Sequence, residues 1–233
     1  MLADHYDSFA ESYSTSNESS LFNAYYERPA MIELAGDVDG HRVLDVGCGS
    51  GPLSAALRAK GAITTGFDGS PAMIKLARQR LGADADLHVA DLSQPLPFTD
   101  GAFDDVVVSL VLHYLRDWTA PLAELRRVLK PGGHLILSVY HPTVYKVYYP
   151  DADYFAVTQF SEDYTFDDGQ SMQLTYWHRP LHAMTDAFTN AGLRIAAISE
   201  PPFSPDTPRE LLPPQFANRT AFLCFLFFVL EAR

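Results

Sequence analysis

The stretch that most narrows what this chain can fold into is Val43-Leu44-Asp45-Val46-Gly47-Cys48-Gly49-Ser50-Gly51. A short apolar run enters a turn with glycine at alternate positions, and apolar residues resume at helical spacing from Leu53. Glycine tolerates backbone angles that a Cβ forbids and lets the chain approach a ligand closely. A helix starting behind such a turn aims unbonded N–H groups, and the positive end of its dipole, at that ligand. Pro52 suits the first helical turn, where its missing N–H would have no partner anyway. Dinucleotide-binding folds use the related spacing G-x-G-x-x-G. Here the third glycine comes one residue early and Asp45 stands two residues before the first. The stretch therefore predicts a strand–turn–helix unit with a ligand seated at the turn.

The chain then repeats that unit. Ile63 to Phe67 reads as a strand ending in Asp68, and Ser70-Pro71 starts a helix running to about Leu81. Leu87 to Ala90 is a short strand ending in Asp91, and Asp104 to Ser109 is a fourth. A helix over Pro121 to Lys130 is broken by Pro131-Gly132-Gly133 before a strand from His134 to Tyr140. After a long interruption, a helix over Leu181 to Ala191 leads to strands at Leu193 to Ser199 and Ala221 to Glu231. Such alternation implies right-handed βαβ units. The expected fold is α/β: a Rossmann-like, seven-stranded, mostly parallel sheet with helices on both faces.

Two segments fall outside the rhythm. Residues 1–40 read as an N-terminal helical cover, with Tyr6, Phe9, Ala10 and Tyr13 at helical spacing and a second amphipathic stretch from Phe22 to Leu34. The polar run Ser14 to Ser20 between them reads as a mobile hinge or a lid connection. Residues 141–180 are aromatic, acidic and without helical period, with a hairpin turn expected at Asp167-Asp168-Gly169-Gln170. The whole is expected to be one domain over 1–233: cover (1–40), cofactor-binding core (41–140), substrate-capping insertion (141–180), and a closing helix and strands (181–233).

Charge narrows the partners. Seventeen Lys+Arg against twenty-nine Asp+Glu leave a net charge of −12. With no basic cluster to offset it, such a chain repels nucleic acid. Met1 to Tyr13 has no basic and then apolar run of the signal-peptide kind, and Ala221 to Leu230 is too short to cross a bilayer. A cytoplasmic protein acting on a small molecule is expected, with no membrane contact. Cys48 and Cys224 suggest neither a disulfide framework nor a metal site. Oligomeric state is not legible.

Asp45, Asp68 and Asp91 each close a strand at its carboxyl end, where open α/β sheets place their ligand crevice. Asp68 lies about 20 residues beyond the glycine turn, the distance at which dinucleotide folds place an acid on a ribose. Together these residues resemble the class I S-adenosylmethionine-dependent methyltransferases, and within them the small-molecule "type 11" group. Val43 to Gly51 is similar to that family's first motif, and Gly66-Phe67-Asp68-Gly69-Ser70-Pro71-Ala72-Met73 to its second. Ala90-Asp91-Leu92 resembles the third; Pro95-Leu96-Pro97-Phe98, Phe103-Asp104 and Arg127 to Gly133 resemble later signatures. The resemblance implies S-adenosyl-L-methionine as cofactor and S-adenosyl-L-homocysteine as product. It assigns cofactor contacts to Asp45, Gly47, Cys48, Gly49, Gly51, Asp68, Gly69, Met73, Asp91, Leu92 and Ser109. It also implies that Asp68 binds the ribose, that Asp91 and Leu92 meet the adenine, and that Tyr13 closes over the methionine end. Gly69 departs from the pattern, since many relatives carry a larger residue there.

Methyl transfer asks mainly for alignment and exclusion of water. A base helps where the acceptor is a hydroxyl or a protonated amine. His113, His141 and His178 are candidates by residue type, with His141 and His113 at strand ends the leading pair. The insertion interleaves aromatics with acids, which suits a flat apolar acceptor, an amine held by cation–π contact, or merely a local core. Deleting Val144 to Tyr176 is expected to spare cofactor binding and abolish turnover. The expected activity is methyl transfer to oxygen or nitrogen of a small metabolite. Two other readings stay open: a cofactor-binding protein that does not transfer methyl, and a nicotinamide-dependent oxidoreductase.

Overall fold

The computed structural model describes residues 6–166 and 168–233. Residues 1–5, which belong to the expected cover and to the segment searched for a signal peptide, lie outside the described residues, as does Asp167 of the expected hairpin turn. The strands are β1 (Arg42–Val46), β2 (Ile63–Asp68), β3 (Asp86–Val89), β4 (Phe103–Ser109), β5 (Leu129–Tyr140), β6 (Thr158–Thr165), β7 (Ser171–His178), β8 (Leu193–Ser199) and β9 (Phe225–Ala232). Seven form one sheet in the order β3-β2-β1-β4-β5-β9-β8, while β6 and β7 make a separate hairpin. Pairing is parallel from β3 through β5. It is antiparallel where β9 meets β5 and β8. The expected seven-stranded, mostly parallel sheet is what forms.

The helices are α1 (Ala10–Ser19), α2 (Arg28–Ala35), α3 (Pro52–Ala59), α4 (Pro71–Leu81), α5 (Thr119–Val128), α6 (Pro142–Tyr148) and α7 (Leu181–Asn190). A π-helical turn, Asn23–Glu27, runs directly into α2. Val106, Val107 and Val108 of β4 are all buried, because helices cover both faces of the sheet. On one face Leu122, Leu125 and Val128 of α5 and Phe188 of α7 pack on Val106, Val108 and Leu137. On the other, Met31, Leu53 and Leu57 pack on Val43, Val107 and Ile136. Each wholly buried leucine contributes roughly 2 kcal/mol of apolar burial. Strand order reverses between β1 and β4, so a crevice opens at the carboxyl ends of these two strands.

Three local expectations are corrected. The polar run Ser14 to Ser20 is not a hinge: α1 continues through Ser19. Two of its hydroxyls find partners outside the helix, Ser14 donating to Ser50 at 2.8 Å and Ser16 meeting the Tyr164 hydroxyl at 2.9 Å, while Thr15 donates back to the Glu11 carbonyl at 2.9 Å. The insertion opens with a helix, α6, where no period was visible. His141 caps it by accepting from the Thr143 N–H, and Pro142 takes the first turn. Finally, Pro131-Gly132-Gly133 lies inside β5 rather than before it, at a shift of register between Phe103↔Leu129 and Asp105↔His134. A Cβ on Gly133 would meet the Asp104 carbonyl oxygen at 2.5 Å, so glycine keeps β5 close to β4 through the irregularity.

Candidate active site

The glycine turn behind β1 holds Gly47, Gly49 and Gly51 at φ of 64°, 54° and 79°. All three lie in the left-handed region that side chains avoid. Two are also fixed by packing: a Cβ would come 2.5 Å from Val111 Cγ2 at Gly47 and 2.9 Å from Leu81 Cδ1 at Gly51. At Gly49 nothing lies within 4 Å of that position. The space before Gly49 is open. Its N–H donates to Asp68 Oδ2 at 2.9 Å, and the Ser70 N–H donates to Oδ1 at 2.8 Å. Asp68 is thereby fixed at the end of β2, against the turn.

Two further carboxylates form the floor. Asp45 is buried and accepts from Ser54 Oγ at 2.6 Å. Burial, partly offset by that hydrogen bond, pushes its pKa up to about 7, with Glu27 and Asp68 raising it further. Glu27, the last residue of the π turn, is also buried; its Oε1 accepts from Ser109 Oγ at 2.7 Å and Ser138 Oγ at 2.6 Å. Burial raises the carboxyls of Glu27 and Asp68 as well. Among the described residues none of the three forms a salt bridge with a lysine, arginine or histidine. An anionic floor of this kind favours a cationic ligand.

The structure brings Asp45, Gly47, Gly49, Gly51, Asp68 and Ser109 together. Gly69 follows Asp68 and is half-buried. The Cys48 side chain packs in the core with Ile74, Ala77 and Leu87, Met73 is buried in α4, and Leu92 joins the main core. Asp91 is exposed and accepts from the Ser93 N–H. Two features escaped sequence reasoning. One is Glu27, whose only outward sign was an acid within an amphipathic stretch; π turns of this sort recur at functional sites. The other is Leu110, a non-glycine at φ 54° just beyond β4, its N–H held by Ser138. Strain of that kind persists where surroundings enforce it.

Above the floor lies an aromatic chamber. Tyr13 of α1 packs edge-on to Tyr6 at 5.1 Å and to Phe166 at 6.5 Å. The Tyr6 and Tyr114 hydroxyls meet at 2.5 Å. The cover is fastened to the core by Asp7, which accepts from Ser70 Oγ and from the Ala72 N–H, and to the hairpin by Ser12, which donates to Asp168 at 2.6 Å. Burial drives the Tyr13, Tyr114 and Tyr140 hydroxyls well above the usual tyrosine range.

The histidines separate clearly. His113 lies in a short 3₁₀ turn after β4, buried among Tyr114, Tyr140 and Tyr176 at ring distances of 4.6, 5.0 and 5.2 Å. Burial lowers its pKa to about 3, so the ring is neutral. Among the described residues its Nδ1 has no hydrogen-bond partner. Both nitrogens of His141 are engaged, Nδ1 by the Thr143 N–H and Nε2 by Glu200 at 3.0 Å. His178 donates from Nε2 to the Tyr154 carbonyl and stacks on Tyr145 at 4.1 Å.

Residues 44–137, from β1 into β5, match the family model described as "Methyltransferase domain". The matched stretch carries the glycine turn, Asp68 and Ser109. A demethylmenaquinone methyltransferase of Clavibacter sepedonicus is 36% identical over 135 residues, 57% of this chain and 55% of that relative. The chain spans about half the length of that relative and 60% of a second one from Renibacterium salmoninarum. An S-adenosylmethionine-dependent methyltransferase of Mesorhizobium loti superposes with TM-score 0.65, covering 87% of this chain and 96% of that one at 24% identity. The 1,6-didemethyltoxoflavin-N1-methyltransferase of Burkholderia thailandensis, solved with bound 1,6-didemethyltoxoflavin and S-adenosylhomocysteine, superposes with TM-score 0.62 over 98% of this chain and 85% of that one at 18% identity. At those identities the two structures speak for the fold.

The site fits S-adenosylmethionine on its own geometry. The open space at Gly49 lies beside a fixed carboxylate suited to a diol, and Asp45, Glu27 and Asp68 together present three acids that have no cationic partner among the described residues.

Proposed function

We propose that this protein is a cytoplasmic enzyme that transfers a methyl group from S-adenosylmethionine to oxygen or nitrogen of a small metabolite. The observation carrying this reading is the open glycine turn with Asp68 fixed beside it, beneath a closed chamber that holds a neutral, unpartnered histidine. When bound, S-adenosylmethionine supplies a methyl group on a positively charged sulfur, already activated for attack. Asp68 holds the ribose hydroxyls, and the backbone from Gly47 to Gly51 cradles the chain beyond them. Asp45 and Glu27 hold the positive charge in place. Tyr13 and Tyr114 exclude water, which sharpens every electrostatic contact inside. His113 accepts a hydrogen bond from the acceptor at Nδ1 and orients it. His141 instead starts α6, because both of its nitrogens are committed.

The demethylmenaquinone relative supports a small acceptor, and the net charge of −12 supports one that is not nucleic acid. Calorimetry with S-adenosylhomocysteine tests the reading. Asp68→Ala removes hydrogen bonds to a charged group, worth about 1.5–3 kcal/mol each, so affinity drops roughly tenfold or more. Wild-type affinity in that variant would overturn the ribose assignment.

A further inference from the structure

Between the hairpin, α6 and the end of β5 lies a pocket that shares His113 with the proposed acceptor contact. His113, Tyr140, Tyr145, Tyr149 and Trp177 form its walls together with Glu162. The hairpin register explains why an acid is there. Phe160↔Tyr176 and Glu162↔Leu174 are directly paired, so all four side chains share one face. That face is the inner one: Leu174 and Tyr176 are buried against the aromatic chamber. Glu162 thus points inward among rings. Burial alone raises its carboxyl, and among the described residues it has no hydrogen bond or salt bridge. Arg179, the guanidinium in the same lining, makes no salt bridge with Glu162: it lies 4.5 Å over the Trp118 ring and donates from one terminal nitrogen to the Arg116 carbonyl at 2.5 Å, while its Nε has no partner among the described residues. A half-buried carboxylate without a partner is costly unless something of opposite charge meets it. Aromatic faces around it favour an organic cation.

We infer that the methyl acceptor is an organic amine, held as its ammonium ion by Glu162 inside this aromatic pocket. The inference rests on the methyltransferase reading and narrows its acceptor to nitrogen. The ammonium gives one proton to the Glu162 carboxylate. The freed nitrogen lone pair then forms the bond to the methyl carbon while the carbon–sulfur bond breaks and its electron pair stays on sulfur. The product is an N-methylammonium ion, the donor's positive charge having moved to nitrogen. Free space in the pocket is about 20 Å³, room for about one water. Entry therefore requires α6 and the hairpin to part. An inward charge that merely discourages strand pairing would leave ligand affinity unmoved when removed.

The test first measures S-adenosylhomocysteine binding by calorimetry in wild type and Glu162→Gln; binding in both shows that the variant is folded. With that ligand saturating, matched probes are titrated: benzylamine against benzyl alcohol, 2-phenylethylamine against 2-phenylethanol, cyclohexylamine against cyclohexanol. The chain has two tryptophans, and both line this pocket, so intrinsic fluorescence reports occupancy. The expected result is an ammonium preference of at least tenfold in one pair or more, erased in Glu162→Gln. The proposal is overturned if no pair shows the preference, or if it survives the substitution. Failure of S-adenosylhomocysteine to bind wild type overturns the cofactor reading beneath it instead.

Discussion

The three glycines of the turn are chemically identical and physically distinct. At Gly47 a methyl group would collide with Val111, whereas at Gly49 it would enter open space. Gly49→Ala should therefore fold, losing about 1–2 kcal/mol for its left-handed backbone, yet bind S-adenosylhomocysteine at least tenfold more weakly. Denaturant melts and calorimetry separate the two effects, and unchanged affinity would mean that the open space is not the seat of the ligand. Asp45, Asp68 and the glycines were legible in the sequence because strand, turn and acid sit within one short segment. Glu27 was not, because it reaches the floor from a helix in the cover, some 80 residues upstream of Ser109, its partner in the core. His113 and His141 looked equivalent, both following strands. Only the structure shows that Pro142 turns His141 into a helix cap while His113 is left with a bare nitrogen. Arg127 matched a family signature; physically it is a staple. It makes a bidentate contact with Glu124 and donates to the carbonyls of Leu96 and Phe98, holding the loop after β3.

At the scale of elements, the cover and the insertion act as one lid. Phe9 and Tyr13 of the cover pack on Phe166 of the hairpin, and Ser12 and Ser16 bond to Asp168 and Tyr164. That contact revises the expectation that removing the insertion leaves cofactor binding intact. Replacing residues 158–178 with a short Gly/Ser linker strips α1 of this support, and S-adenosylhomocysteine should dissociate several-fold faster in stopped-flow. An unchanged rate would show the two covers to be independent. Turn signals exposed β1, β2 and β8 in the sequence because each is a short run between clear turns. α6 stayed hidden because its helix signal is a cap and a proline, not a stripe. The polar half of α1 stayed hidden because its partners lie on Ser50 and Tyr164, which no local pattern can show.

At the scale of the molecule, the fold carries buried carboxyls that charge reluctantly. Asp45 has its pKa raised to about 7, so the folded state holds that proton more tightly than the unfolded chain. The associated stability is complete below the ordinary aspartate value near 4 and is lost as pH rises through 7. Asp45→Asn, neutral throughout, should gain on wild type over that window by about 2–4 kcal/mol and then run parallel to it. Thermal melts of both proteins from pH 4 to 8 check this, and a constant difference would deny that Asp45 titrates there. The fold class was legible because alternating units leave few topologies. The order of assembly was not. β8 joins the sheet only through β9, which is wedged antiparallel between β8 and β5. On the ribosome β8 and α7 emerge before the strand that seats them, so until Phe225–Ala232 arrives β5 presents an open hydrogen-bonding edge. Closing it joins residues as far apart as His134 and Glu231, a slow, late step. The nascent chain is thus exposed to mispairing with its neighbours for longest at the strand that carries Tyr140 into the aromatic chamber.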